Sequence, residues 1–105
     1  MEVTEIIRRR RSCRDYEREQ PVAREVLEQI AEAGRLAPSA CNIQPWRFLI
    51  VSDETQRGRI AACYQGRWLD AAPHILIVIA DKKAAWVRSD GYSSVETDAT
   101  IAMDH

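Results

Sequence analysis

The run "HILIVIAD" at residues 74–81 constrains the fold more than any other segment of this chain. Its apolar stretch is nearly continuous and too short for a buried helix. It reads as a strand, and the lack of alternation suits a central strand covered on both faces. A second apolar run, "WRFLIVS" at 46–52, ends in Ile50 and Val51 and reads as a buried partner strand.

Helical periodicity fills the spaces around these strands. Met1 to about Arg9 forms a short helix with Val3, Ile6 and Ile7 on one face. Pro21 begins a second helix, because its missing N–H has no partner in a first turn. That helix carries Val22, Val26, Leu27, Ile30 and Ala31 inward and runs to about Leu36. It stops before Pro38, since the residue ahead of a proline avoids helical angles. Asp53, with Gln56 three residues on, caps a helix over roughly 54–62 with Ile60 and Ala61 inward. Ser93 and Glu96 form a further capping box, followed by Val95, Ala99, Ala102 and Met103 at helical spacing. This last helix has no glycine, proline or basic final turn to stop it. The expectation is that further chain, or a partner, covers its apolar stripe. Helices alternating with two strands give an α/β or α+β class. Two strands alone make a poor sheet, so more are expected from a missing part or another subunit.

The 105 residues fit one small domain with a modest core. A net charge of −1 supplies no global field for nucleic acid or an anionic membrane, so anion binding must come from a local cluster. No window approaches the roughly 18 apolar residues of a membrane span. In "MEVTEIIRRRR" the charge follows the apolar residues, the reverse of a secretory signal, which favours a cytoplasmic address. Cys13, Cys41 and Cys63 are far apart and odd in number, so neither zinc nor disulfides are indicated; buried or half-buried thiols are expected.

Three clusters could carry chemistry. "RRRRSCR" at 8–14 combines Arg10, Arg11, Ser12 and Arg14 where the first helix ends. Guanidinium forks and a hydroxyl suit a phosphate, although a solvated basic helix end or a nucleic-acid arm has the same composition. "APSACNIQPW" at 37–46 sets Asn42 and Gln44 between Pro38 and Pro45. Side-chain amides read heterocycle edges, and prolines stiffen a loop before it binds. A polar helix-to-strand connector reads the same way. "QGRWLDAAPH" at 65–74 places Gln65 and Arg67 ahead of the central strand, facing either a ligand or solvent. His74 opens an apolar strand and reads as a hydrogen-bonded or solvent-facing histidine rather than a general base. No G-x-G-x-x-G or P-loop is present, and no nucleophile–base pair stands out. Reactive chemistry here would belong to a cofactor.

These clusters, in this order, resemble the N-terminal part of the flavin-dependent nitroreductase family. The resemblance rests on "RRSCRDYEREQPV", "APSACNIQPWRFLIV" and "DAAPHILIVIA", and spans essentially all 105 residues. It implies an α+β, nitroreductase-like fold, with residues 1–105 forming the N-terminal part of one FMN-binding domain. It implies an intimate homodimer with FMN at the subunit interface. Arg10, Arg11, Ser12 and Arg14 would grip the ribityl and phosphate. Pro38, Ser39, Ala40 and Asn42, with Gln44 adjoining, would line the flavin ring, largely from the opposite subunit. Arg67 would sit near the pyrimidine side. The implied activity is ping-pong: NAD(P)H delivers hydride to the flavin, and a nitro compound, quinone or similar small molecule then accepts electrons. No catalytic side chain and no metal are expected, and neither nucleic acid nor a membrane is a partner. The family extends beyond the segments seen here, so a second reading is a non-catalytic fragment that docks on a partner through its last helix.

Overall fold

The computed structural model describes residues 1–105. The two apolar runs pair with each other. β1 (Trp46–Val51) lies antiparallel to β2 (Ile75–Ala80), in a register from Trp46 opposite Ala80 to Val51 opposite Ile75. This two-stranded sheet, flanked by helices, is an α+β arrangement.

The helices are α1 (Val3–Arg9), α2 (Arg24–Arg35), α3 (Glu54–Ala61) and α4 (Val95–Asp104). Single 3-10 turns occupy Ala40–Asn42 and Arg67–Ala71. No helix is long and apolar enough to cross a membrane. α4 packs on β2 and against α2. The core sits there: Ala37, Trp46 and Ala102 are buried together, with Phe48, Val78 and Ile101 against them. Gly34 makes the close approach possible. A methyl at that position would stand 2.9 Å from the Phe48 ring and 3.3 Å from the Ala102 carbonyl oxygen.

Several sequence expectations change. α2 begins at Arg24 rather than Pro21: the extended backbone of Ala23 holds the N-cap position, and the Val22 N–H ahead of it is donated to His74 Nε2 (2.9 Å), a long-range bond. Asp53 caps α3 as expected, accepting from the Gln56 N–H at 2.9 Å. The Ser93–Glu96 capping box does not form: Ser94 holds the cap position, and Ser93 Oγ accepts from the Val95 N–H. β2 is not fully covered on either face within this chain: Val78 packs into the core beside Ala102 of α4, while Leu76 on that same face and Ile79 on the other stay exposed. Of the expected inward face of α2, Leu27 is buried but Val22, Val26 and Ile30 are exposed. On α4, Ala102 is buried in the core as expected, but Met103 points outward, and Asp98 shares the buried face because hydrogen bonds satisfy its carboxyl group there. All three cysteines are exposed, correcting the expectation of sheltered thiols. Only 12 of 105 residues are buried, so much apolar surface of α1, α2 and the sheet has no neighbour within the chain.

Candidate functional site

The chain leaves α1 with Arg10 extended, and its backbone N–H still bonds the Ile6 carbonyl. The Arg11 guanidinium folds back onto the carbonyls of Arg8 (2.9 Å) and Arg10 (2.8 Å), closing the helix end. Arg10 Nη1 donates to Ser12 Oγ at 3.3 Å. Arg10, Arg11, Ser12 and Arg14 all line one open cleft of about 670 Å³. No acidic residue lines it, and none of the three arginines belongs to an ion pair. Like charges held together without a counter-ion favour an anionic ligand with several acceptor oxygens.

The opposite wall is aromatic. Tyr16 and Tyr64 both pack on Trp68, with ring centroids 5.9 and 5.5 Å apart. Gly66 stands between them because a methyl there would collide with Tyr64 and Trp68. Arg67 is exposed beside this wall; its neighbours Trp68 and Leu69 line the cleft, and Arg67 itself does not. Cys13 and Cys63 also face the cleft. The aromatic wall was missed in the sequence, where Tyr16 lies too far from the Tyr64–Trp68 pair for the three to read as one surface.

The connector between α2 and β1 carries the second group of candidate residues, and none of them lines the arginine cleft. Its backbone is unusual: Cys41 (φ 54°), Asn42 (φ 51°) and Gln44 (φ 55°) are all left-handed without being glycine. Each such residue costs about 1 kcal/mol, less for asparagine, and strain of this kind gathers at ligand-binding sites. Hydrogen bonds hold the shape. Ser39 Oγ accepts from the Gln44 N–H at 2.9 Å, and the Ser39 carbonyl accepts from the Asn42 N–H at 3.0 Å. The Pro45 carbonyl accepts from the Asp81 N–H at 2.8 Å, tying the connector to the end of β2. Pro38, Asn42 and Gln44 are exposed, and Ser39 and Ala40 are half-buried. The Ala40 N–H donates to Asp98 Oδ1 at 3.1 Å, so Ala40 offers a ligand its methyl surface rather than that donor.

His74 is occupied on both ring nitrogens. Nε2 accepts from the Val22 N–H, which leaves the proton on Nδ1, 2.7 Å from Ser52 Oγ. It ties the segment ahead of α2 to the residue after β1 and stands apart from the arginine cleft.

Residues 7–66 match the model of the nitroreductase family. The chain is 40% identical over 83 residues to an NADH dehydrogenase of Thermus thermophilus, covering 78% of this chain and 40% of that protein. It superposes along its whole length on a nitroreductase family protein of Clostridium difficile 630, with TM-score 0.86, 30% identity and 59% of that chain covered. An FMN-dependent nitroreductase of Clostridium difficile R20291 gives TM-score 0.82 and 30% identity, over 97% of this chain and 56% of that one. The chain spans 34% to 40% of the length of the curated relatives it matches.

Proposed function

Since the chain belongs to the nitroreductase family, we propose that residues 1–105 form the N-terminal part of an FMN-binding domain that reduces small organic acceptors with NAD(P)H. The observation that carries this reading is the cleft in which Arg10, Arg11, Ser12 and Arg14 gather with no carboxylate among them. Its donor set fits a phosphate monoester, and the Tyr16–Trp68–Tyr64 wall fits the apolar body of a flavin mononucleotide.

FMN, when bound, supplies the redox chemistry: it takes a hydride from NAD(P)H and, in a separate half-reaction, reduces a nitro compound, quinone or similar acceptor. The chain's own part is binding and electrostatics. Arg10 and Arg14 offer unpaired guanidinium forks to the phosphate, and the Ser12 hydroxyl adds a donor. Arg11 closes the end of α1 with its own carbonyl contacts and adds charge to the cleft. Arg67 places a cation on the pyrimidine side, where it favours negative charge on the ring. Pro38, Ser39, Ala40, Asn42 and Gln44 present a stiff polar edge to the ring from the second subunit of a homodimer. Two observations support that arrangement: the connector lies away from its own chain's cleft, and Val3, Ile6 and Ile7 of α1 are exposed. No side chain acts as an essential acid or base.

The test is titration of the purified chain with FMN, followed by NADH oxidation with a quinone or nitroarene. Quenched flavin fluorescence and a yellow protein after gel filtration are expected. A protein that stays colourless after incubation with FMN overturns the reading.

A further inference from the structure

We infer that Asp98 is a positioning residue for the cofactor site, fixing the connector through the backbone amide of Ala40. The inference rests on the reading of the connector as flavin-facing. Asp98 lies on α4 and is only 3% exposed, an unusual place for a carboxyl group. Burying such a group is costly unless its oxygens are satisfied. Here both are, and by uncharged donors, since none of the four ion pairs includes Asp98. Oδ2 accepts from the Ser94 hydroxyl at 2.7 Å. Ser94 is itself buried and tied by its N–H to the Trp86 carbonyl at 3.0 Å. One carboxyl oxygen is thus clamped from within α4 and the segment before it. The other, Oδ1, reaches across to the Ala40 N–H at 3.1 Å, 58 positions earlier in the chain.

The point of attachment gives this bond its consequence. Ala40 lies between Ser39, whose hydroxyl gathers the Gln44 amide, and Cys41, the first left-handed residue. A connector carrying three left-handed residues relaxes unless its ends are fixed. The Pro45 carbonyl fixes the far end through Asp81, and Asp98 fixes the near end. Rigid placement of Asn42 and Gln44 lowers the ordering cost of gripping a ligand edge. Asp98 touches no cofactor atom in this scheme; it acts through Ala40.

The experiment compares Asp98→Ala, Asp98→Asn and Ser94→Ala with the parent chain. It reads amide hydrogen exchange at Ala40 against that of the β1 amides, and FMN affinity by fluorescence titration. In Asp98→Ala, exchange at Ala40 is expected to rise roughly 10- to 100-fold beyond any change in β1, with FMN bound about tenfold more weakly. Asp98→Asn keeps an acceptor for the Ala40 amide and is expected to restore both within about threefold. Should Asp98→Ala fail to fold, Ser94→Ala decides, with Ala40 exchange expected to rise about three- to tenfold. Unchanged Ala40 exchange, or exchange that rises equally in β1, overturns the anchoring role. Faster exchange with unaltered FMN affinity overturns the link to the cofactor. A parent chain that binds no FMN overturns the functional reading instead, while Ala40 exchange still decides whether Asp98 anchors the connector.

Discussion

Residues 10–14 hydrogen-bond only to sequence neighbours, whereas the connector at 37–46 is bonded to Asp98 and Asp81, far along the chain. The first region is all charge and little tether. The second is nearly uncharged and heavily tethered. An anion is attracted from any direction, so long side chains on a loosely held segment serve it well. A ring edge is recognised by hydrogen bonds that fail beyond about 3.5 Å, so the groups that read it must be held in place.

This contrast is most sharply tested by removing charge. Replacing Arg10 and Arg14 together by alanine is expected to weaken FMN binding by about 3 kcal/mol, roughly 100-fold, as two charge-assisted bonds are lost. Riboflavin, which lacks the phosphate, is expected to bind as before, and the unfolding free energy from urea denaturation to change by less than about 0.5 kcal/mol. Equal losses for both flavins would erase the distinction between the regions. Gly34→Ala attacks the other side. Its methyl meets the Phe48 ring at 2.9 Å, and overpacking of about 1–3 kcal/mol outweighs a helix-propensity gain of about 1 kcal/mol. Urea denaturation should show that loss, and an unchanged midpoint would mean that the α2–β1 contact yields easily.

How much of this could be read from the sequence follows the same division. The strands, α3 with its Asp53 cap and the arginine cluster are local patterns, and each is where the residues placed it. The first turn of α2 is misplaced: Pro21 suits a helix start, but the extended backbone of Ala23 sets the cap, and Val22 bonds His74, 52 positions away. Asp98 was illegible for a related reason: an aspartate between Val95 and Ala102 looks like a solvent-facing residue. Its burial comes from a bond to Ala40 that no window around position 98 contains. The left-handed backbone of Cys41 and Gln44 was hidden too, since neither residue type favours it.

Smaller effects refine the picture. Gln44→Gly removes a left-handed penalty of about 1 kcal/mol while adding unfolded-chain entropy. Calorimetry is expected to show a net change below about 1 kcal/mol, with weaker FMN binding if the amide reads the ring; unaltered binding would remove Gln44 from the site. Acid sensitivity can be followed at two surface ion pairs outside both regions. Hydrogen bonds from Arg35 and Arg88 hold Glu32 and Asp90 below their ordinary values of 4.5 and 3.8. Depressed folded-state values mean a contribution that is full above those ordinary values and disappears as pH falls through the lowered ones. All four groups are exposed and screened by solvent, so a urea series across that acid range should show only a slight fall from these pairs.

α1 has seven residues and none of them is buried. A helix that short does not hold its shape alone in water, and the arginine block hangs from its end. Whatever covers Val3, Ile6 and Ile7 therefore also sets the spacing of the cations. If a second copy of the chain provides that cover, FMN loading obeys mass action in the protein itself: dilution should empty the cleft even when free flavin is held constant.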